Sequence, residues 1–419
     1  MLVQAHQHAA SRVAAGLSHL PDTATAFAAT QAAWRFFNNH HVSLPALAQP
    51  LRQAGREAAL ACTASCSLLV HDWSKIDYRS HASKRDKALI THEHDVGYEM
   101  ATALLVSARD GAPLAPMEVE LTTADTVHSS RAVASPLGTN HLDQVLLTMH
   151  ASLGWGLQKS LVHVIDREAD SVGHYRQWDE AGFRFLVRAD DRRVLWRGNE
   201  VLLSDVAGTL QAEGAFQDSR EALYHGKKAR QEVAFTQVVL HRPAKKRGPD
   251  GKQREVPGRP LSLRLVVVRL RGANGELLAE WLLLTNVPGA LADAQTVALW
   301  YYWRWRVESY HKLLKSHGQE MEHWQQETGA AIARRLLVAA MACVVVWQLQ
   351  RAATPQAEEL KGIVTRLSGR QMKTGQATTA PALLAGLHVL LAMLSLLEHY
   401  DLEQLRLLVQ TVLPAPPTG

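Results

Sequence analysis

A chain of 419 residues with 47% hydrophobic and 20% charged side chains reads as globular and large enough for two or three domains. A net charge of +5 and a pI near 9.1 lean toward an anionic partner. Three cysteines, Cys62, Cys66 and Cys343, exclude an extracellular disulfide framework and a paired-cysteine zinc site, and point to a reducing cytosol. The opening MLVQAHQHAASRV lacks the apolar stretch of a secretory signal. The longest apolar run, residues 382–397, falls short of the ~20 residues of a typical membrane span and reads as a buried helix, so no membrane partner is expected.

In chain order, residues 31–61 hold apolar side chains at three- and four-residue spacing, with Pro45 early in the second half, the pattern of a small helical front end. SLLVHDW follows as a buried strand ending in Asp72. After a polar loop, YEMATALLVSARDGAPLAPMEVEL gives two strands joined at Asp110-Gly111, a hairpin signal. HLDQVLLTMHASLGWGL is a helix, and SLVHVID is a second apolar strand that closes on Asp166. Strand, hairpin, helix and strand make an α/β sheet with a mixed edge, and such sheets carry chemistry near strand ends. Between FRFLVRAD and EWLLLTNVP, roughly one hundred residues of short alternating runs broken by Gly and Pro read as an inserted β region. Within it, HRPAKKRGPDGKQREVPGRP is a basic, turn-rich loop, either a solvated hairpin tip or a DNA contact. The final segments are helical and apolar enough to pack on the core or on a partner.

The stretch YYWRWRVESYHKLLK, residues 301–315, holds one glutamate among two arginines, two lysines, a histidine and five aromatics. On a helix, Arg304 and Lys312 lie one turn either side of Glu308, the arrangement of an ordinary salt-bridge ladder worth ~0.2–0.5 kcal/mol per pair. The same wheel puts Tyr301, Arg304, Glu308, Lys312 and Lys315 within roughly a quarter of the circumference. That basic, aromatic-flanked stripe with a single carboxylate equally suits a helix laid along a nucleic-acid backbone at a metal-dependent site. Asp72, Asp166 and Glu308 are hard oxygen donors of the type that holds two Mg²⁺ or Mn²⁺ ions for in-line phosphoryl transfer, although strand-end aspartates also serve as caps and turn formers.

VIDREAD at residues 164–170, with Tyr301, Arg304, Glu308 and Lys315 in the spacing Y-x2-R-x3-E-x6-K, resembles the two signature motifs of the DDE transposases of the bacterial "insertion sequence four" group. The order Asp, Asp, long insertion, Glu is similar too, and the resemblance runs from residue 31 to residue 350. It implies an α/β fold: a ribonuclease-H-like catalytic core with an inserted β-rich region, a helical N-terminal domain and a helical C-terminal region. The implied segments are 1–64 for binding DNA ends, 65–190 for the first part of the core, 191–290 for the insertion, 291–350 for core helices carrying the catalytic glutamate, and 351–419 for a helical region that by analogy serves dimer formation.

The function implied is cut-and-paste transposition of an insertion sequence in the bacterial cytoplasm, in association with the nucleoid. The enzyme would be an endonuclease and strand-transferase using two Mg²⁺ or Mn²⁺ ions. Its partners would be double-stranded DNA, both the inverted-repeat ends and the target, and a second copy of itself in the synaptic complex. By the same resemblance, Asp72, Asp166 and Glu308 would be the catalytic, metal-binding triad. Arg304 and Lys315 would hold phosphates of the transposon end, and Tyr301 would contact the backbone beside the cut. Arg188, His311 and Lys312 match further end-contacting positions, and Arg35 in AAWRFFNN resembles the arginine of the front domain that grips the terminal repeat. Trp281 and Trp305 resemble the tryptophans that hold a base flipped from the end. Glu168 and Asp170 read as supporting or helix-start residues, the THEHD loop at 91–95 as solvated, and Cys62 and Cys66 as small core residues. Only thirty-odd residues precede AAWRFF, where relatives carry a basic helical segment. A shortened, non-catalytic regulator and a host nuclease on the same fold are therefore the alternatives.

Overall fold

Three apolar runs without alternation, SLLV, SLVHVI and RFLVR, form the parallel centre of a mixed sheet, because strands covered on both faces have no polar side to present. In the computed structural model, which describes residue 3 and residues 23–247, 252–316, 318–370 and 378–412, they belong to β1 (Cys66–Asp77), β6 (Ser160–Ile165) and β7 (Arg184–Arg188). β1 extends past the expected end at Asp72, because the antiparallel partner β3 (Val96–Ser107) pairs with it as far as Asp77↔Gly97. Asp72 therefore sits within a strand and not at its tip.

On one side of this centre lie β3, β4 (Pro113–Thr122) and β5 (Val127–Ser129), with the short β2 (Ala88–Leu89) on the edge of β3. The turn between β3 and β4 passes through Gly111 at φ 69°, as the Asp-Gly pair predicts. On the other side, β15 (Leu277–Thr285), β14 (Leu261–Arg271), β11 (Lys227–Leu240), β8 (Arg193–Trp196) and β9 (Asn199–Leu202) follow in that order, with β10 (Gln217–Tyr224) on β11. The β-rich segment is thus continuous with the core sheet through the antiparallel pairing Leu283↔Arg188. Among the described residues, only β12 (Ala244–Arg247) and β13 (Gln253–Val256) stand apart, as a two-stranded ribbon.

Helices cover both faces. α1 (Thr23–Asn38), α2 (Leu44–Leu47) and α3 (Gln49–Ala61) make the front end. α4 (His141–Ser152) links β5 to β6, and α5 (Val172–Glu180) links β6 to β7. α6 (Leu203–Ala212) is a helix inside the β-rich segment that the alternating runs did not announce; it buries Leu203, Val206, Ala207 and Leu210. α7 (Ala294–Trp303), α8 (Trp305–Leu314), α9 (Gly329–Arg351), α10 (Pro355–Leu367), α11 (Ala380–Leu397) and α12 (Leu402–Val412) are the remaining α-helices among the described residues. The pleat of β7 sorts the two cores: Leu186 packs with α7, α8 and α9, whereas Phe185 and Val187 join Met149, Tyr175 and Trp178 on the opposite face.

α9 is apolar nearly all round, which marks a core helix, and it is buried from Ala331 to Trp347 along most of its length. Its Arg334 donates to the carbonyls of Phe37 and Val42 and so ties the front end to the core. α9 and α11 are both long and apolar enough to cross a membrane. The expectation that α11 is buried holds only for its first half. Ala382, Leu383 and Leu384 are in the core, and Gly386 permits a close approach to α10, where a Cβ would meet the Val364 carbonyl oxygen at 1.8 Å. Beyond that contact no core remains to cover it, and Met393, Leu394 and Leu397 are exposed.

Candidate active site

The parallel register of β1 and β6 ends at His71↔Ile165; Asp72 is the next residue of β1, and Asp166 is the first residue after β6. Two carboxylates therefore leave neighbouring strands, whose spacing is ~4.8 Å. Asp166 is also a cap: its side chain accepts the Arg167 N–H at 2.7 Å and starts the 3₁₀ turn Arg167–Ala169. The cap therefore falls on one of the two neighbouring acids.

The third acid arrives from α8. Asp293 starts α7 by accepting the Thr296 N–H at 2.7 Å. The single helix expected over 301–315 is interrupted at Arg304, where the Arg304 N–H bonds to Tyr301 O and the Val307 N–H to Arg304 O, a tighter i,i+3 spacing. This places the Tyr301 hydroxyl 2.9 Å from Asp166 Oδ1, to which it donates. Arg304 Nη2 lies 2.8 Å from Glu308 Oε1 and 3.2 Å from Asp166 Oδ2. The helical ladder pair Arg304–Glu308 exists, but its guanidinium is shared with a carboxylate on a different element.

Burial pushes Asp72 up to about 7; Arg304 opposes the shift, while Glu308 and Asp166 add to it. Burial also pushes Asp166 upward, but Arg304, the Arg167 N–H and the Tyr301 hydroxyl overcome it and hold this carboxyl below its ordinary range. For Arg304, burial is outweighed by Tyr301, Asp166, Asp72 and Glu308, which keep the guanidinium firmly charged. His311 is 5% exposed, with Nε2 3.2 Å from Thr102 Oγ1 and Nδ1 3.7 Å from Asp72 Oδ2. Burial pulls it down to about 3, so it is a neutral neighbour of Asp72 and not an ion-pair partner. It stands behind the acid, buried between Asp72 and Thr102.

Divalent ions of the kind the resemblance implies require hard oxygen donors, and Asp72, Asp166 and Glu308 offer only those. Glu308 and Asp166 both add to the upward shift of Asp72, which lies within reach of their charge. By donor chemistry they fit the ions. Among the described residues, however, no three His, Cys, Asp or Glu side chains are gathered at metal-holding spacing, and the Arg304 guanidinium bridges two of the acids.

Beside the acids, a pocket of about 290 Å³ is lined by Arg188, Tyr224, Trp281, Tyr301, Arg304 and Trp305, among others. Arg188 Nη1 is 3.9 Å from Asp166 Oδ1. Trp281 is 4% exposed and edge-on to Tyr301 at 5.2 Å, so it is a core residue as well as a wall. Trp305 is 38% exposed. Tyr224 was not among the expected residues. It sits at the tip of the β10–β11 hairpin, where His225 and Gly226 have φ of 48° and 77°, the signature of a two-residue primed turn, and His225 stands edge-on to Trp305. The His-Gly pair between alternating runs was the available signal.

Lys315 closes α8 by donating to the Lys75 carbonyl of β1, with Glu322 at 3.5 Å. Lys312 is exposed on α8, and Arg35 is exposed on α1, whose Ala33 and Phe37 pack against α9; neither lines the pocket. Glu168 lies 3.1 Å from His141, and Asp170 accepts from the Tyr175 hydroxyl and the Asp190 N–H, so Asp170 braces the loop after β6. In the 91–95 loop, Asp95 pairs with Lys75 at 2.8 Å. Residues 241–260 carry seven Lys and Arg against two acids, an excess equal to the whole chain's +5, so the remainder is balanced. Their ribbon, β12–β13, is anchored to α5 by Arg259–Asp179 at 2.7 Å and by Arg176 donating to the Arg242 carbonyl at 2.9 Å. The tip of this basic loop, residues 248–251, lies outside the described residues.

Residues 68–345 match the family model of the transposase DDE domain. A solved structure with partial likeness is the piggyBac transposase synaptic complex with hairpin DNA, determined by cryo-electron microscopy: 8% identity, a TM-score of 0.34, and coverage of 84% of this chain and 58% of that one. The present chain thus spans less than two thirds of the length of that transposase. The family match extends from β1 into α9, takes in Asp72, Asp166 and Glu308, and covers well over half of the sequence. The chain belongs to the transposase DDE domain family.

Proposed function

We propose that this chain is a DNA transposase of the insertion-sequence-four group, cutting at terminal inverted repeats and joining the freed ends to target DNA. The observation that carries the reading is the emergence of Asp72 and Asp166 from adjacent parallel strands, with Asp166 and Glu308 sharing one buried guanidinium, beside a pocket walled by aromatics and arginines. Asp72, Asp166 and Glu308 would hold two Mg²⁺ or Mn²⁺ ions, which when bound stabilise charge on the attacking and leaving oxygens. Tyr301 fixes the rotamer of Asp166 through its hydroxyl. Arg188 offers its guanidinium to phosphate oxygens, which guanidinium groups bind in pairs of hydrogen bonds. Trp305 presents a ring on which an extruded base stacks, and Lys315 pins the end of α8 to β1.

The sheet centre, antiparallel toward β3 and β4 and parallel through β1, β6 and β7, supports a ribonuclease-H-like core with residues 191–290 as its insertion. The charge excess on residues 241–260 supports a duplex partner, since a two-stranded ribbon is narrow enough to enter the major groove and its cations engage phosphates of any sequence. The exposed leucines of α11 and α12 support a second copy in the synaptic complex. The test is cleavage of a duplex bearing the element's own ends. Asp72→Asn, Asp166→Asn and Glu308→Gln each abolish Mg²⁺-dependent nicking while duplex affinity persists. Robust nicking by any one of them removes that residue from the site.

A further inference from the structure

Three carboxylates in one place repel, and whichever cation lies among them decides whether the cluster is stable. In this structure that cation is Arg304. One nitrogen, Nη2, serves both Glu308 Oε1 at 2.8 Å and Asp166 Oδ2 at 3.2 Å, and the side chain is 5% exposed. The Glu308 oxygen that a divalent ion would take already accepts from this guanidinium, and the Asp166 oxygen is ion-paired with it. A guanidinium and a metal ion seated on the same oxygens would be like charges a few ångströms apart, and they repel.

Arg304 also has somewhere else to go. It lines the pocket that contains Arg188, Trp281 and Trp305, and its Nε is buried with no hydrogen-bond partner among the described residues. An unsatisfied buried donor is costly to keep, so the side chain is poised toward any acceptor that enters this pocket. A phosphate oxygen is the acceptor that a guanidinium fits best, through paired charge-assisted bonds.

We propose that Arg304 is a two-position counter-cation that makes metal loading conditional on DNA: it occupies Asp166 and Glu308 in the free protein and releases them when a backbone phosphate in the adjacent pocket captures it. The inference rests on the transposase reading and adds an order of events to it. Free protein is held in a metal-poor form that does not cut, and engagement of the duplex opens the acidic site. By linkage, DNA and metal each raise the other's affinity by the same factor.

Mn²⁺ binding to the full chain, followed by the electron paramagnetic resonance signal of free Mn²⁺ with and without a duplex at low ionic strength, tests this without reference to cleavage. Wild type is expected to bind Mn²⁺ weakly alone and about tenfold or more tightly with duplex. Arg304→Ala is expected to bind Mn²⁺ tightly without duplex and to gain little from it. Arg304→Gln, which keeps hydrogen bonding and bulk but lacks charge, gives the same result where the alanine variant folds poorly. Equal Mn²⁺ affinity of wild type and both variants in the absence of duplex, with normal binding in its presence, overturns the proposal and leaves the transposase reading intact. Failure of wild type to bind Mn²⁺ even with duplex overturns both.

Discussion

The protein holds two arginine-centred carboxylate clusters that look alike on paper and differ in access to water. Arg131 bonds to Glu118 at 2.6 Å and Glu120 at 2.5 Å, with Ser135 and Thr148 completing the set, and all three charged side chains are at most 6% exposed. Arg304 is equally buried, but its partners are not: Asp166 and Glu308 show 32% and 29% of their side chains, and Asp72 shows 21%. The two clusters are neighbours, since a cavity of about 20 Å³ touches Asp72 on one side and Glu118 and Glu120 on the other. A closed ion network fastens β4 to the loop before α4 and to Thr148 in the second half of that helix, whereas an open one can exchange its cation. Access, not composition, separates the sealed acids from the reachable ones.

The largest effect that would break this contrast is on stability. Arg131→Met strands two carboxylates out of reach of water and is expected to cost about 3–5 kcal/mol in urea unfolding. Arg304→Met leaves acids that water reaches, and about 1 kcal/mol or less is expected. Equal losses would make the Arg304 cluster a structural clamp.

The aromatic pair sharpens the same distinction. Trp281→Ala empties a core position and is expected to cost about 3–5 kcal/mol, so poor solubility would be no evidence about DNA. Trp305→Ala should leave the unfolding midpoint nearly unchanged and lose about 1–3 kcal/mol of affinity for a duplex with an extruded base. Unchanged affinity would return Trp305 to a surface role.

The smallest effect is on pH dependence. Burial pushes Asp72 and Glu118 both to about 7; for Glu118, Arg131 and a Thr148 hydrogen bond oppose the shift, and Glu120 adds to it. A carboxyl raised in the folded state binds its proton more tightly folded than unfolded. Its contribution to stability is full below pH ~4 and is lost as pH rises through about 7. Asp72→Asn and Glu118→Gln should each flatten that fall. With duplex bound, so that Arg304 is withdrawn, Mg²⁺ should compete with the proton only where it has access, shrinking the share of Asp72 and sparing that of Glu118. If Mg²⁺ altered both shares equally, or neither, the difference in access would be wrong.

Much of this was legible locally. Apolar runs located the central strands, Asp110-Gly111 located a hairpin, and Asp166 after SLVHVI was visible as a strand-end acid, because burial pattern and turn chemistry act over a few residues. The spacing of Tyr301, Arg304 and Glu308 put these residues on one helical stripe, and they do converge, although the helix is interrupted at Arg304. What the chain could not announce by itself depends on contacts between distant segments. β1 continues past Asp72 only because β3 pairs with it, and α11 is half exposed only because the core ends beneath it. His311 lies in the same basic run as Lys312, yet one is buried against Thr102 and the other faces solvent. Glu118 and Asp72 are both acids in strands, and only packing decides which is sealed. Local sequence determines which groups are present and how they are spaced along an element; tertiary structure alone determines which of them water and a cation can reach, because access depends on what the rest of the chain places around them.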